Sequence, residues 1–272
     1  MIENNEPIWF NKKKSPQDTK EAGYSLFVAT PVHSEVSIHY AQSLLELQKH
    51  CFFKNVPIKF NLMKSSLVTQ GRNMCVSAFL QSTASHLLFV DSDIAFNSGA
   101  AERLVACDKD VISIPYPLKD INWEKGMHMI KEGKIKTEKD LRHKSFYRYP
   151  FKVENSNEIK IKDGVIEVTH SPTGFMLIKR EVFTKMIKAY PNLRIDQEQI
   201  VNGKNEKLLD FWNFFDTQFD PEKHSYTGED FAFCKRWKDI GGTCHAWIMD
   251  YITHVGEHQY TGRFADELIK TD

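Results

Sequence analysis

Short apolar runs alternate with amphipathic stretches from residue 24 onward. Strands that alternate with helical stretches are typical of a mainly parallel sheet with helices on both faces. We predict a helix that begins near Gly71, because apolar residues follow it at helical spacing. The other elements predicted for this half are strands over 25–29, 57–62, 86–90 and 111–115 and helices over 36–50 and 100–107. This order of elements is that of a nucleotide-binding half.

Regular periodicity stops after residue 117, and residues 118–157 form a long insertion without clear pattern. A hairpin is predicted next, since apolar segments over 159–161 and 165–168 flank Asp163-Gly164, a two-residue turn signal. The remaining predicted elements are a strand over 173–178, helices over 180–190 and 229–239, and a strand over 245–249. The pattern therefore predicts an α/β three-layer sandwich with a mostly parallel central sheet, a Rossmann-like N-terminal half, a small antiparallel hairpin and a long insertion.

Composition and charge narrow the class of protein. The chain has 272 residues, of which 41% are hydrophobic, so we expect one domain over 23–272 preceded by a polar arm over 1–22. Lys and Arg total 36 and Asp and Glu total 36, so no overall field favours nucleic acid or an anionic membrane. The five cysteines are scattered without a CxxC pair, which is typical of a reducing compartment.

Targeting signals are also missing from the pattern. No apolar run approaches the ~18 residues that cross a bilayer, and the N-terminus lacks an apolar signal core. We therefore expect a soluble, cytoplasmic protein, in the host cytoplasm if the chain is viral, with no transmembrane segment and no nucleic-acid partner.

The apolar run 86–90 ends in Asp91-Ser92-Asp93. In extended backbone the side chains of Asp91 and Asp93 point to the same side, so both can reach one cation. Aspartates also close strands through local turn hydrogen bonds, and that interpretation stays open. Two carboxylates leave open positions on Mg²⁺ or Mn²⁺ that phosphate oxygens can complete. His254 follows the last predicted strand and is a candidate nitrogen ligand, which would favour Mn²⁺, or else a packing residue.

Glu229 and Asp230 begin a predicted helix. Acidic residues are favoured in a first helical turn because they complement the helix dipole, so a purely structural role is open. The same dipole lowers the pKa of a carboxyl, so a catalytic base at Asp230 would need an apolar wall or a neighbouring acid. The candidates for such a wall are Trp212, Phe214, Phe215 and Phe231.

Taken in order, these motifs resemble those of the GT-A fold glycosyltransferases, in particular the compact two-carboxylate type of bacterial, phage and giant-virus enzymes. The resemblance covers roughly residues 24–262, and the long 118–157 insertion matches no shared motif. Each motif is weak by itself, and the ordered set carries the resemblance. The motifs are Ala29-Thr30-Pro31, Arg72-Asn73, Asp91-Ser92-Asp93, Thr173-Gly174-Phe175, Gly228-Glu229-Asp230 and His254.

The resemblance implies a role for each matched position on the donor side. Thr30 and Pro31 would contact the nucleotide base, and Arg72, with Asn73 beside it, would reach the base or the diphosphate. Asp91 would contact the ribose, or the metal through water, and Ser92 would be a further residue of the nucleotide and donor site. The metal ligands would be Asp93 directly, Asp91 and His254.

On the acceptor side, the resemblance implies that Asp230 is the base and Glu229 its partner or an alternative base. Thr173 and Gly174 would line the pocket for the donor sugar and the acceptor. Residues 23–117 would then be the nucleotide-binding half and 118–272 the acceptor-binding half.

The expected activity is a metal-dependent hexosyl transfer from a nucleotide-sugar, by default a UDP-sugar, to a saccharide or other hydroxyl acceptor, with inversion. A retaining glycosyltransferase and a non-catalytic nucleotide- or saccharide-binding module remain alternatives. A sugar-nucleotide pyrophosphorylase is less favoured, because no glycine-rich basic loop follows the first strand.

Overall fold

The computed structural model describes residues 22–137, 146–154, 158–201 and 203–268. The N-terminal arm and parts of the insertion therefore lie outside the described residues. The helices are α1 Ile38–Lys54, α2 Val68–Leu80, α3 Ala100–Ala106, α4 Trp123–Lys131, α5 Arg180–Ala189, α6 Glu229–Asp239 and α7 Ala265–Leu268, with a 3-10 turn at Pro191–Leu193. The strands are β1 Leu26–Val32, β2 Ile58–Lys64, β3 His86–Val90, β4 Ile94–Phe96, β5 Val111–Ser113, β6 Val165–Val168, β7 Phe175–Lys179, β8 Glu198–Val201, β9 Lys204–Lys207, β10 Gln218–Asp220, β11 Ser225–Thr227, β12 Cys244–Trp247, β13 Ile252–Val255 and β14 Gln259–Gly262.

A seven-stranded sheet forms the centre of the fold, in the order β2-β1-β3-β7-β5-β12-β6. Strands β2, β1, β3, β5 and β12 run in one direction, whereas β7 and β6 run the opposite way. The predicted α/β class with a mostly parallel central sheet is therefore confirmed. Smaller antiparallel units, β14-β13-β4, β8-β9 and β10-β11, complete the structure.

Alternate side chains of each central strand pack on opposite faces of the sheet, as the two-residue period of a strand requires. Phe27 of β1 packs toward α2 and α5, in edge-to-face contact with Phe79 at a centroid distance of 5.8 Å. Its neighbour Val28 faces the other way, in the cluster that contains Tyr40 and Leu47 of α1. Helices thus cover both faces, which gives the three layers that were predicted.

Arg180, at the start of α5, fixes the C-terminal end of α2. Its guanidinium donates to the carbonyl oxygens of Phe79 and Ser82, both at 2.9 Å, and to that of Ala84 at 2.7 Å. The last carbonyls of a helix have no partners within the helix, and charge-assisted hydrogen bonds satisfy them here. Helix α2 is thereby held against the sheet, which sets the position of Arg72 farther along it.

Two local predictions need correction, and the insertion contains a helix that was not predicted. Strand β1 extends to Val32, beyond the predicted end at residue 29, so Thr30 and Pro31 lie within the strand. Helix α2 begins at Val68 after Leu67, which makes no side-chain cap, so Arg72 lies in the second turn instead of at the helix start. The insertion, unassigned from sequence, contains α4, whose first turn is capped by the Asn122 side chain.

The predicted hairpin is present only as its turn. Asp163 and Gly164 have φ angles of 51° and 77°, as a two-residue hairpin turn requires. Residues 159–161 form no strand, and only the single bridge from Lys162 to Val165 closes the turn. Strand β6 pairs instead with β12, because that pairing extends the central sheet. Among the described helices, none is long and apolar enough to span a bilayer.

Candidate active site

The carboxyl ends of β1, β3 and β5 lie at one edge of the sheet, and the amino end of the antiparallel β7 joins them there. Val90, the last residue of β3, is paired with Phe175, the first residue of β7. The Asp91 N–H then donates to the Gly174 carbonyl at 3.0 Å. Ligands of open α/β sheets bind at such an edge, where neighbouring strands diverge. The Asp91-Ser92-Asp93 and Thr173-Gly174-Phe175 motifs therefore meet at this edge.

Arg72 joins the Asp91 side of this edge to the start of α6. It is 3% exposed, and its Nη2 lies 3.0 Å from Asp91 Oδ1 while its Nε lies 3.3 Å from Glu229 Oε1. Burial lowers the pKa of Arg72, but the two carboxylates outweigh that effect and leave the pKa above its ordinary value. Among the residues that the structure describes, Nη1 of Arg72 has no hydrogen-bond partner. A buried cationic donor without a partner is costly, so an anionic ligand would gain by completing it.

Asp93 lies between two basic side chains that are distant in sequence, Lys119 and His254. Its Oδ2 is 2.6 Å from Lys119 Nζ and 3.3 Å from His254 Nε2. Strand β13 brings His254 here by pairing with β4, and the Val255 N–H donates to the Asp93 carbonyl at 2.7 Å. Burial raises the pKa of Asp93, but hydrogen bonds and charge from His254 and Lys119 outweigh it and hold the pKa below its usual range.

The orientation of the His254 ring is set by a backbone carbonyl. Its Nδ1 lies 2.9 Å from the Pro117 oxygen, and a carbonyl can only accept, so Nδ1 carries the proton. Nε2 lies 3.3 Å from Asp93 Oδ2. It donates to that oxygen when the ring is protonated, and in the neutral ring its lone pair is available to a cation. A backbone carbonyl on the other ring nitrogen is the arrangement that orients histidine ligands in metal sites.

We tested these residues against the expected divalent ion. No group of three or more His, Cys, Asp or Glu side chains within the described ranges is arranged to hold a metal. Asp93 Oδ2 and His254 Nε2 nevertheless face one another as an oxygen and a nitrogen donor, with a lysine ammonium beside the same oxygen. Asp91 is turned toward Arg72. Asp93 and His254 thus offer two of the donors that a divalent ion needs, and the remaining donors would have to come from water, from a ligand or from Asp91 after it leaves Arg72.

Asp230 has the environment of a proton acceptor. Burial, and then the charge of Glu229, raise the pKa of Asp230 to about 6. The Phe231 N–H donates to its Oδ1 at 2.8 Å, so the expected helix-terminus effect is present but is outweighed. Two of the aromatic residues that the sequence suggested as an apolar wall for Asp230, Phe214 and Phe215, are completely buried in the hydrophobic core.

Tyr116 is a central residue of this edge that the sequence reasoning missed. Burial, and then the charges of Asp91 and Asp230, raise its pKa well above the ordinary value, so both carboxylates lie near its ring. Its ring also meets that of His254 edge to face at 5.0 Å. The available signal was Pro115-Tyr116-Pro117 directly after a predicted strand, where ligand-binding residues concentrate. Lys119, which follows the same strand, was also missed.

A cleft of about 470 Å³ opens beside these residues. Its walls come from the end of β1, the loop before α2 and the end of β3, and its lining includes Pro31, Arg72, Asp91, Ser92 and Asp93. The Ser92 carbonyl also accepts from the Ser37 N–H at 2.9 Å, next to the start of α1. Five of the residues singled out from the sequence thus line one cleft.

Three other residues singled out from the sequence are buried within the fold. Thr30 is completely buried, with its hydroxyl 2.5 Å from that of Tyr40. The Asn73 side chain donates to the Phe215 carbonyl and accepts from the Phe215 N–H, both at 2.9 Å. Thr173 is 1% exposed. Their side chains face protein groups, and any contact with a ligand would need a rearrangement.

No protein-family model matches the chain. No curated protein sequence matches it either. Similar solved structures include that of A197 from STIV, which is 17% identical and aligns over 85% of this chain and 86% of the other with a TM-score of 0.46. Another is a glycosyltransferase involved in the glycosylation of the major capsid of PBCV-1, 8% identical over 62% and 66% of the two chains with a TM-score of 0.33.

A third similar structure is a putative glucose-1-phosphate thymidylyltransferase from Bacillus anthracis. It is 12% identical over 60% of this chain and 74% of the other, with a TM-score of 0.30. All three TM-scores are below 0.5, so these similarities carry no argument about activity. The case for function depends on the residues at the sheet edge.

Proposed function

We propose that this chain is a metal-dependent glycosyltransferase that moves a hexosyl group from a nucleoside-diphosphate donor to a hydroxyl of a saccharide or other acceptor. A UDP-sugar is the default donor. One observation carries the proposal: Arg72 bridges Asp91, at the cleft with Asp93, to Glu229, which adjoins the raised-pKa Asp230. One buried guanidinium thus joins a carboxylate of the Asp91-Ser92-Asp93 motif to the neighbour of a candidate base.

The donor half of the proposal uses the cleft. Pro31 and Ser92 line a volume of about 470 Å³, within the range of small-molecule sites. Arg72 supplies a buried positive charge with one donor, Nη1, still unpartnered within the described part of the chain. Asp93 and His254 would hold Mn²⁺ or Mg²⁺, which when bound supplies positive charge to a departing nucleoside diphosphate.

The acceptor half depends on Asp230. A carboxyl with a pKa of about 6 is ionised at neutral pH, yet it is more basic than an ordinary aspartate. Glu229 is already engaged by Arg72 at 3.3 Å, so it is the poorer base and the better positioning group. Asp230 would take the proton of the acceptor hydroxyl as its oxygen attacks the anomeric carbon from the face opposite the leaving diphosphate. That geometry inverts the configuration.

A second candidate function is a non-catalytic nucleotide-binding module. The observation that favours it is that both aspartates of the Asp91-Ser92-Asp93 motif are already paired within the chain, with Arg72 and Lys119. A catalytic site must release at least one of these pairs to receive a metal. A permanent pair would leave a site that binds but does not transfer.

A thermal-shift panel tests the proposal and separates the candidates. UDP, GDP, CMP and dTDP are each added with Mn²⁺ or with EDTA to the wild type and to Asp93→Ala. A ligand that binds only the folded state raises the melting temperature, so the donor nucleotide is expected to give a shift that requires the metal and Asp93. The absence of any shift would contradict the metal-nucleotide site. A nucleotide-induced shift, with Mn²⁺ or with EDTA, that is not accompanied by sugar transfer or donor hydrolysis would favour the binding module.

A further inference from the structure

The neighbouring backbone and the space above Gly256 position Lys119 at the site. The backbone next to it is fixed, because the Leu118 N–H donates to the Arg148 carbonyl at 2.8 Å and the Pro117 carbonyl accepts from His254. Its side chain crosses Gly256, where an added Cβ would lie 3.0 Å from Lys119 Cδ. Glycine at 256 therefore leaves the room that the lysine stem uses.

The Lys119 ammonium contacts the carboxylate oxygen that a metal would use. Nζ is 2.6 Å from Asp93 Oδ2, which is also the oxygen that His254 Nε2 approaches at 3.3 Å. Both basic side chains therefore approach the same oxygen of Asp93. A metal cation bound to that oxygen would have to displace the ammonium.

The Lys119 side chain is also free to leave. It is 39% exposed, so Nζ can move toward solvent by rotation of its stem while the backbone stays in place. An exposed or half-exposed pair of this kind contributes only a fraction of a kcal/mol to about 1 kcal/mol. A divalent ion can displace it at small cost, and the released ammonium is then available to another anion nearby.

We infer that Lys119 is an exchangeable counter-ion: it pairs with Asp93 in the free protein and moves to a phosphate oxygen of the diphosphate when a divalent metal occupies Asp93. This inference rests on the proposed function, since it assigns a positioning residue to the same donor site. Lysine suits the exchange, because it offers three rotatable donors on a flexible stem. In the free protein the Lys119 ammonium adds a second basic partner to Asp93 beside His254.

The inference predicts effects of opposite sign for metal and for diphosphate. Replacing Lys119 by Gln removes a cation that competes for Asp93, so Mn²⁺ alone is expected to bind about two- to five-fold more tightly. The same change removes a charge-assisted contact to phosphate, so inorganic pyrophosphate in the presence of saturating Mn²⁺ is expected to bind about ten-fold more weakly or worse. A purely structural role would move both affinities in one direction.

The experiment titrates the full chain with Mn²⁺, following the free ion by electron paramagnetic resonance, and then with pyrophosphate by calorimetry. Lys119→Arg retains the charge and is expected to keep pyrophosphate binding close to wild type. Lys179→Gln is the matched control, because Lys179 Nζ forms a pair of the same length, 2.6 Å, with Asp108 away from the cleft. Melting temperatures without ligand check that each variant folds.

Each outcome decides between the two proposals. Tighter Mn²⁺ binding together with weaker pyrophosphate binding in Lys119→Gln alone supports the exchange. Unchanged affinities, or equal losses of both, overturn the exchange while the metal-nucleotide site stands. If the wild type itself binds no Mn²⁺, the metal-dependent function fails and the inference falls with it.

Discussion

The Tyr116 ring occupies the space that a side chain at Gly174 would need. A Cβ at 174 would lie 2.4 Å from Tyr116 Cε1 and 2.8 Å from its hydroxyl oxygen. Tyr116 follows β5, and Gly174 directly precedes β7. Gly174 also accepts from the Asp91 N–H, so the glycine positions both the tyrosine and the strand end that carries the aspartates. Gly174, which the sequence resemblance assigns to a substrate pocket, therefore matters because it has no side chain and leaves room for the Tyr116 ring.

Gly174→Ala is expected to displace the Tyr116 ring, since contacts below 3.0 Å cannot be kept. Overpacking of this kind costs about 1–3 kcal/mol, measured as a loss in the free energy of unfolding by urea titration. Gly23→Ala is the control, because nothing lies within 4 Å of a Cβ at that position. Equal stability of the two variants would show that the Tyr116 ring relaxes without cost.

Asp230→Asn is expected to lower turnover by about 10² or more, because general base catalysis typically contributes 10²–10⁴. Donor nucleotide binding should be retained, since the residues that line the donor cleft do not include Asp230. The measurement is kcat together with the donor dissociation constant. Asp239→Asn, on the same helix and paired with Lys235 at the surface, controls for helix stability. Near-wild-type turnover in Asp230→Asn would contradict the base assignment.

The same variant tests the environment of Asp230 through pH. Because the pKa is raised from 3.8 to about 6, the folded protein retains this proton where the unfolded chain has lost it. Wild type should therefore lose stability relative to Asp230→Asn as pH rises from about 4 to about 6, by at most about 3 kcal/mol before solvent screening. The asparagine oxygen can still accept from the Phe231 N–H. Unfolding curves that differ by a constant amount across this range would contradict the raised pKa.

The two aspartates of the motif should differ in metal binding. Asp93→Asn is expected to abolish Mn²⁺ binding, because Asp93 faces His254 at 3.3 Å. Asp91→Asn should weaken it less, since Asp91 pairs with Arg72 at 3.0 Å. Calorimetric titration with Mn²⁺ measures both. A larger loss in Asp91→Asn would show that Asp91 leaves Arg72 and becomes the main ligand.

Local pattern was sufficient where a feature depends on neighbours in the chain. The apolar run His86–Val90 forms β3 as predicted. The Asp91-Ser92-Asp93 segment is a turn and not extended backbone, with the Ile94 N–H donating to the Asp91 carbonyl at 3.1 Å, so the two-residue period of a strand does not place the two aspartates. The acids of Glu229–Asp239 begin α6, because the helix dipole favours them there. The start of α2 was misplaced because Leu67 offers no side-chain cap to mark it.

Only the tertiary structure decided which distant groups meet. The strand partner of residues 165–168 is β12, a strand distant in sequence, and this pairing extends the central sheet. Arg72 joins Asp91 to Glu229, and Lys119 and His254 converge on Asp93, through pairs that no sequence period relates. The sequence by itself determined the strands, the helices and the types of chemical group at their ends. Their pairing and ionisation were decided by the folded chain, because burial and charge act through space.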